Sequence, residues 1–148
     1  MFDITYLVTN GYNEIPINKG IYIVRIPCNF TVKFLDKTPA ISDFKSKNLL
    51  YDIKMLENKY SSLQDKNILY IGKADCEKGL RQRIGQYIDY GYKKGKIHRG
   101  GRAIWQIENY EKLLIDFYCC IECEHEEKNL LKNYKFLNGD YPLANWRL

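Results

Sequence analysis

A tyrosine, a lysine and an arginine occur in one stretch at positions that would suit a phosphate. The apolar run 68–71 is typical of a β-strand, which stops at Gly72. Tyr70 lies in this strand, Lys73 follows it at once, and Arg83 lies on a segment with helical spacing. A hydroxyl, an ammonium and a guanidinium brought together in this way can bind a phosphate group. The alternative is a strand edge with solvated charges.

A glutamate near the end of the chain lies on the core-facing side of a predicted helix. A helix is predicted from about residue 124 to 137. Glu127 precedes three residues of this helix at spacings of three, four and seven, namely Leu130, Leu131 and Tyr134. A carboxylate on that side must be paired or must hold a metal ion, so Glu127 is the candidate metal ligand. Glu126 shares less of the same face and is the second choice.

Basic residues are concentrated in one segment. The net charge is +5, but residues 73 to 102 contain nine Lys and Arg against three acidic residues, which gives +6 there and −1 elsewhere. A solvated helix face is usually mixed in sign, whereas a basic segment interleaved with tyrosines suits a nucleic-acid backbone. The residues expected to contact nucleic acid are Arg81, Lys93, Lys94, Lys96, Arg99 and Arg102.

The histidine of that segment is a further candidate for the active site. His98 lies in a predicted loop, residues 91–106, that contains four glycines and can therefore approach a ligand closely. A lone histidine in a loop often has no catalytic role. The basic residues around His98 and the glycine pair at 100–101 favour such a role here.

The elements that must position these residues predict a small α/β domain. Strands are expected at 20–26, 68–72 and 112–123, with another short strand at 32–35. Helices are expected at about 48–63 and 124–137, and Leu80, Ile84 and Tyr87 form the buried face of a third. We expect one domain, residues 1–148, with a largely antiparallel three-stranded central sheet flanked by helices, preceded by a polar lead-in with turns at 1–19.

Two triplets of the predicted strands resemble the motifs of a nuclease family. Gly20-Ile21-Tyr22 and Tyr70-Ile71-Gly72, followed by a lysine and a helix arginine, resemble the motifs that name the GIY-YIG nucleases. The glutamate helix and the closing Pro142-Leu-Ala-Asn145 resemble later motifs of the family, in the same order. The resemblance spans almost the whole chain.

One departure from the minimal family pattern points to a subgroup. Residues of about 27–67 separate the two tyrosine strands, whereas many family members join these strands by little more than a hairpin. The run H-x-G-G-R-x-I-W-Q, which starts at His98, resembles a subgroup that also has a long insert. The resemblance therefore implies a GIY-YIG-like domain with an inserted helical segment.

The resemblance implies hydrolysis of DNA phosphodiester bonds with one divalent ion, Mg²⁺ or Mn²⁺. Glu127 would hold the ion, and Arg83 would stabilise the charge that develops at the scissile phosphate. Tyr22 and Tyr70, with Lys73 nearby, would position and deprotonate the attacking water. Tyr22 is the favoured general base.

Other residues would support this chemistry. His98 is the alternative general base, because some family members use a histidine at about this point. Gly20, Gly72 and Asn145 would support the site, although packing of the C-terminus accounts equally well for Asn145.

A DNA-binding module that keeps this fold without the activity is the alternative function. No missing site residue favours it, since Tyr22, Tyr70, Arg83 and Glu127 are all present. The sequence has no helix-turn-helix, zinc finger or basic tail, so a partner protein could supply specificity. The oligomeric state stays open.

Five cysteines, an odd number, argue against a complete disulfide framework. Cys120 and Cys123 form a C-x-x-C with His125 close by, which raises the alternative of a zinc site. On the strand predicted through residue 123, residues three apart would point to opposite faces. We therefore favour buried free thiols.

The composition indicates the class of protein and its compartment. No apolar run approaches the ~20 residues that cross a bilayer. The N-terminus lacks the basic start and apolar core of a signal peptide. We expect an intracellular, cytoplasmic protein that has DNA as its partner and does not bind a membrane.

Overall fold

The computed structural model describes residues 1–95 and 98–147, and alternates strands with helices. Its longer strands are β2 (Gly20–Arg25), β5 (Ile68–Ala74) and β6 (Leu114–Cys119), and its short ones are β1 (Phe2–Asp3), β3 (Asp43–Phe44) and β4 (Lys47–Asn48). Its α-helices are α1 (Ile4–Asn10), α2 (Ile53–Ser62), α3 (Gly79–Gly91) and α4 (Cys123–Asn138). Two 3₁₀ turns, Arg102–Gln106 and Tyr110–Lys112, precede β6.

The main sheet is antiparallel, with the strand order β1-β6-β2-β5, and β3 pairs with β4 in a separate hairpin. This confirms a mixed α/β fold. The sheet has four strands where three were predicted. The additional strand is β1, which lies at the edge beside β6 and pairs Phe2 with Ile115. β5 is the opposite edge strand.

Helices cover both faces of the sheet, and successive residues of β2 pack into two different hydrophobic clusters, one on each face. Tyr22 and Val24 pack in the larger cluster, which includes residues of α3. Ile21 and Ile23 pack with residues of α4 in a smaller cluster. This alternation is the period of two expected for a strand buried on both sides.

The lead-in predicted at the N-terminus is wrong in part, because it contains a helix. Ile4 and Leu7 of α1 are buried, and the Asp3 carboxylate accepts a hydrogen bond from the Tyr6 amide at the helix start. Seven residues give too few apolar positions for a helical period to show in the sequence.

Two elements of the insert differ from the prediction. The strand predicted at 32–35 is wrong, because Phe34 forms an isolated bridge with Ile107. The helix predicted at 48–63 begins at Ile53, where the Asp52 carboxylate caps it by accepting from the Met55 amide at 3.1 Å. Among the described residues, no helix combines the length and the apolar character needed to cross a membrane.

The strand predicted at 112–123 ends four residues early, at Cys119. The chain then turns, with the Cys120 amide donating to the Lys19 carbonyl, and Cys123 begins α4. The argument that Cys120 and Cys123 point to opposite faces of a strand is therefore wrong. Their Sγ atoms lie 3.1 Å apart.

Candidate active site

Packing explains why each triplet combines a glycine with a tyrosine, since the two triplets lie opposite each other on the paired strands β2 and β5. Tyr22 is paired with Gly72 in the register of the two strands. A Cβ added at Gly72 would lie 2.5 Å from Cζ of Tyr22 and 2.7 Å from its hydroxyl. The missing side chain thus lets the Tyr22 ring lie across β5, and its hydroxyl is directed towards the free edge of the sheet.

The first glycine of the other triplet brings α3 close to β2. A Cβ at Gly20 would lie 2.7 Å from Cδ1 of Leu80, a residue of α3 that is fully buried. Gly20 therefore fixes how near α3 packs to the sheet. Since Arg83 is on the same helix, this contact also helps to place its guanidinium.

Three tyrosines and a histidine form a tyrosine layer, defined as Tyr22, Tyr70, Tyr87 and His98. The ring centroids are 5.8 Å apart for Tyr22 and Tyr70, 5.5 Å for Tyr70 and Tyr87, and 5.0 Å for Tyr87 and His98. The Tyr87 hydroxyl donates to the Gly101 carbonyl at 2.8 Å. Sequence reasoning assigned Tyr87 to the core and did not place it in contact with His98.

The glycine pair at 100–101 allows the loop to close over this layer. A Cβ at Gly100 would lie 2.5 Å from the Tyr70 hydroxyl, and one at Gly101 would lie 2.6 Å from the Tyr87 hydroxyl. Gly101 also has a φ of 72°, which glycine adopts without strain. The predicted close approach of this loop is thus made to the tyrosines.

His98 is buried, and the tautomer of its ring follows from its one hydrogen bond. Nδ1 lies 3.0 Å from the Gly100 carbonyl, which can only accept, so Nδ1 carries the hydrogen. Nε2 is then an acceptor, and it has no hydrogen-bond partner within residues 1–95 and 98–147. Burial, together with the nearby Arg83 charge, lowers the pKa of His98 to about 4. The ring is therefore neutral at pH 7, with a free lone pair.

Tyr22 has the opposite electrostatic character from the one a phenolate base requires. Its side chain is fully buried, and burial raises its pKa well above 10, with nearby Tyr70 adding to the rise and Arg83 opposing it. Among the described residues its hydroxyl has no hydrogen bond of ordinary geometry, and the Tyr70 hydroxyl is the neighbouring group that contributes to its raised pKa. The structure therefore keeps Tyr22 as a neutral phenol beside Tyr70.

Arg83 lies among the predicted catalytic residues. Its charge lowers the pKa values of Tyr22, Tyr70, His98 and Glu127, so it lies within electrostatic range of all four. In the part of the chain that the structure describes, its guanidinium forms no hydrogen bond and no ion pair. A partly buried cation in this situation is available to an anion from outside.

Glu127 meets Lys73 on the α4 side of the sheet. Lys73 Nζ lies 3.9 Å from Oε2 of Glu127 and 3.9 Å from Oε2 of Glu124. Burial raises the pKa of Glu127, and the charges of Lys73 and Arg83 oppose that rise. Glu126, the second choice from the sequence, instead accepts a hydrogen bond from the Tyr118 hydroxyl at 2.6 Å.

Asn145 covers the free edge of β5. Its Oδ1 accepts from the Ile71 amide and its Nδ2 donates to the Ile71 carbonyl, both at 2.9 Å. The Ala144 amide donates to the Leu69 carbonyl beside it. The side chain thus replaces a strand partner next to Tyr70 and Gly72, which is a positioning contact for the site and a packing contact for the C-terminus at once.

The tyrosine layer and the α4 side of the sheet meet at the edge of β5, in a cavity of about 410 Å³. We call it the charged cavity, defined by its lining residues Tyr70, Arg99, Arg102, Glu127, Asn145 and Arg147 together with the aromatic residues Tyr51 and Trp146. Tyr70 reaches it from the tyrosine layer and Glu127 from α4. Glu127 is the acidic residue in this lining, among three arginines.

Sequence reasoning missed the residues that the insert and the C-terminus contribute to this cavity. Lys59 Nζ lies 3.9 Å from the centroid of the Trp146 ring, the rings of Trp146 and Tyr51 stack at 5.0 Å, and Arg102 Cζ lies 5.1 Å from the centroid of the Tyr51 ring. These stacked contacts join α2, the C-terminus and the glycine loop. Nothing in the local sequence patterns indicates such a long-range stack.

The residues predicted to bind nucleic acid have different surroundings. Arg99 and Arg102 line the charged cavity. Lys93 and Lys94 are exposed beyond the end of α3, which lies about 12 Å along the helix axis from Arg83. Arg81 donates to the carbonyls of Ile15 and Asn13 at 2.8 Å each, a contact with a structural role. Lys96 lies outside the described residues.

The donor set at Glu127 is compatible with a hard divalent cation. Mg²⁺ takes carboxylate oxygen, keeps several waters and is commonly held by one or two carboxylates plus substrate phosphate. Glu127 offers a partly exposed carboxylate at the wall of a cavity large enough for water and phosphate. The described residues contain no group of three or more His, Cys, Asp or Glu that could hold an ion together.

Comparisons with protein-family models, with curated proteins and with solved structures find no match to this chain. A functional assignment therefore depends on the geometry of the chain's own residues.

Proposed function

We propose that this protein is a metal-dependent endonuclease that hydrolyses DNA phosphodiester bonds, with a GIY-YIG-like fold. The observation that carries the proposal is the contact between the tyrosine layer, which contains Tyr22, Tyr70 and His98, and the charged cavity, which Tyr70 and Glu127 both line; the charge of Arg83 acts on all four residues. These residues come from β2, β5, α3, a loop and α4, and they span 105 positions of the chain, from 22 to 127. The antiparallel pairing of the two tyrosine strands supports the finer fold assignment.

The scissile phosphate would lie at the edge of β5, between Arg83 and Glu127. Arg83 would stabilise the negative charge that develops on the phosphate, because no acidic side chain within residues 1–95 and 98–147 forms an ion pair with its guanidinium. A bound Mg²⁺ or Mn²⁺, held by Glu127, would neutralise charge on the phosphate and on the leaving oxygen. Lys73 holds the Glu127 carboxylate in position from 3.9 Å.

His98 is the general base in this proposal, and Tyr22 positions the attacking water. Nε2 of the neutral His98 would accept the proton of the water, because its lone pair has no other described partner. Tyr22 remains protonated owing to its burial, so its hydroxyl orients the water through a hydrogen bond. Tyr70, whose ring lines the charged cavity, would assist in that positioning.

DNA would approach along the basic side of the molecule. Arg99 and Arg102 at the charged cavity, and Lys93 and Lys94 beyond α3, would bind the phosphates on either side of the scissile bond. Such contacts position the backbone and carry no base sequence, so a partner protein that supplies specificity is compatible with the proposal.

Cleavage of supercoiled plasmid separates this function from that of a silent DNA-binding module. We expect nicked or linear product with Mg²⁺ or Mn²⁺ and none with a chelator. Glu127→Gln should abolish cleavage and leave duplex binding nearly unchanged, because the carboxylate serves the ion. Glu126→Gln is the matched control one residue away and should remain active, since Glu126 bonds to Tyr118.

The opposite results would point elsewhere. Duplex binding without cleavage in either metal would favour the silent module. An inactive Glu126→Gln beside an active Glu127→Gln would show that Glu126 holds the ion.

A further inference from the structure

Two thiols that the proposed nuclease chemistry does not use lie side by side where the sheet meets α4. Cys120 follows β6, and Cys123 is the first residue of α4. Their Sγ atoms are 3.1 Å apart, and the Cys123 thiol is 3.4 Å from the Cys120 carbonyl. The fold therefore holds the two sulfur atoms together as a dithiol.

This separation needs little movement to become a covalent bond. A disulfide has its sulfur atoms about 2.0 Å apart, so a shift of about 1 Å is enough. Cys120 lies in the turn after β6, outside regular structure, and can make that shift without breaking a strand pair. The sequence concealed this arrangement because a longer strand would have separated the two side chains.

The two cysteines differ in solvent exposure, and this difference determines which of them reacts first with an oxidant. Cys123 is 1% exposed, whereas Cys120 is half-buried and can meet a reagent from solvent. Burial, followed by the neighbouring Cys123, raises the pKa of Cys120 to about 12. The first step should therefore become faster as the pH rises, because the thiolate is the attacking form.

We propose that Cys120 and Cys123 form a reversible intramolecular disulfide, with a small-molecule disulfide as the oxidant. The Cys120 thiolate attacks one sulfur of the small disulfide and expels one small thiolate. The Cys123 thiolate then attacks the Cys120 sulfur and expels the second. The two protein thiols lose two protons and two electrons, and the small disulfide is reduced to two thiols.

The bond would close at the start of the helix that carries Glu127. Cys123 Sγ also lies 3.9 Å from the carbonyl of Ala74, the last residue of β5. The disulfide would thus attach the end of β6 to the first turn of α4, beside β5. The proposal does not depend on the nuclease activity, because it concerns thiols whose hydrogen-bond partners, namely each other and the carbonyls of Cys120 and Ala74, are not proposed site residues.

Thiol counting by mass spectrometry tests the proposal on the full chain. Reduced protein is incubated with excess oxidised glutathione at mildly alkaline pH, denatured, and labelled with N-ethylmaleimide. We expect Cys120 and Cys123 to lose their labels together, with no glutathione on either and a peptide mass about 2 Da lower, whereas glutathione taken up by the exposed Cys28 and Cys119 shows as added mass on their own peptides. Protease cleavage after Glu122 should leave the two fragments joined, and dithiothreitol should restore five labels.

Cys119 provides the matched control, because it is exposed and adjacent to Cys120. Cys119→Ser should still lose two labels on oxidation, whereas Cys120→Ser should lose none to an internal disulfide. The substitution is placed at half-buried Cys120 because a change at buried Cys123 could impair folding. Labels that persist on Cys120 and Cys123, persistent glutathione on Cys120, or a disulfide between Cys119 and Cys120 would each overturn the proposal.

Discussion

The tyrosine layer and the charged cavity adjoin each other at β5, yet they differ in charge, in exposure and in how they are held. The layer is aromatic and neutral, and Tyr22 and Tyr87 are fully buried in it. The cavity is open and is lined by three arginines and Glu127. Burial raises the tyrosine pKa values and lowers that of His98, so every ionisable group of the layer is kept uncharged.

The difference indicates where each step of the proposed reaction belongs. Charge that develops on a phosphate can be stabilised in the cavity, where Arg83 and Glu127 are near. In the proposed reaction a proton would be accepted in the layer, where Nε2 of the neutral His98 has no hydrogen-bond partner among the described residues. The water would thus be activated at the boundary, with neutral groups on one side and charged groups on the other.

The largest expected effect is the loss of the Tyr22 hydroxyl. Tyr22→Phe should reduce single-turnover cleavage about 100-fold or more, a typical loss for one positioning or charge-stabilising group. Its free energy of unfolding should stay the same or rise by about 1 kcal/mol, because a buried hydroxyl without a partner is destabilising. Urea unfolding and cleavage of the same preparation measure both.

That pair of results separates a positioning role from a packing role. A variant that loses stability and activity together would show that the hydroxyl supports the fold. A variant that cleaves at the wild-type rate would remove Tyr22 from the mechanism and leave His98 acting without it.

Acid should destabilise the protein through His98. Its pKa is about 4 in the folded state and near 6.5 when unfolded, so the unfolded state binds more protons between these values. The stability is fully present above pH 6.5 and is lost as the pH falls towards 4, by about 3 kcal/mol at 1.36 kcal/mol per pH unit. Urea unfolding at several pH values should show this loss.

His98→Gln tests the assignment, since glutamine does not titrate. Its stability should change less over the same pH range than that of the wild type. An equal acid slope in both proteins would assign the destabilisation to carboxylates elsewhere. The variant should also lose cleavage, because glutamine cannot accept the proton of the water.

Gly72→Ala should disturb the tyrosine layer. The added Cβ would lie 2.5 Å from Tyr22 Cζ, so the ring must shift, and overpacking of this kind costs about 1–3 kcal/mol. Gly85→Ala is the control, because it lies in α3 with Tyr12 at 3.1 Å and alanine favours a helix. Thermal unfolding that ranks Gly85→Ala below Gly72→Ala would contradict the packing account of the triplet.

The sequence predicted the groups of the site better than their surroundings. Tyr70, Arg83 and Glu127 could be proposed from a strand end and from helical phase, which are local patterns, and Tyr22 from the resemblance of its triplet to a family motif. The stack of Trp146 and Tyr51, and the contact of Cys120 with Cys123, could not be predicted. The first depends on residues 95 positions apart, and the second on a strand that ends at Cys119 and is followed by a turn.

The assignment of the general base changed for a physical reason. The chemistry of a phosphate site with nearby cations suggested a lowered tyrosine pKa. In the free protein the packing of Tyr22 over Gly72 buries its hydroxyl, and that burial outweighs the charge of Arg83. Burial of this degree depends on the tertiary contacts of the whole layer and has no signature in the strand itself.

The smallest expected effect concerns two arginines that the sequence could not tell apart, Arg81 and Arg99. Both lie in the basic segment, but Arg81 is bonded to backbone carbonyls, whereas Arg99 is exposed at the charged cavity. A phosphate contact contributes about 0.9 to the slope of log affinity against log salt concentration. Arg99→Ala should therefore lower that slope by about one and leave unfolding unchanged.

Arg81→Ala should show the reverse pattern. Its two hydrogen bonds fix residues 13–15 against α3, so their loss should destabilise the fold by about 1 kcal/mol or more and leave the salt slope unchanged. Duplex binding is measured in a Glu127→Gln background, where cleavage does not interfere. If Arg81→Ala lowers the slope and Arg99→Ala does not, the DNA surface lies on the side of α3 away from the charged cavity, and the proposed path of the backbone past Arg83 is wrong.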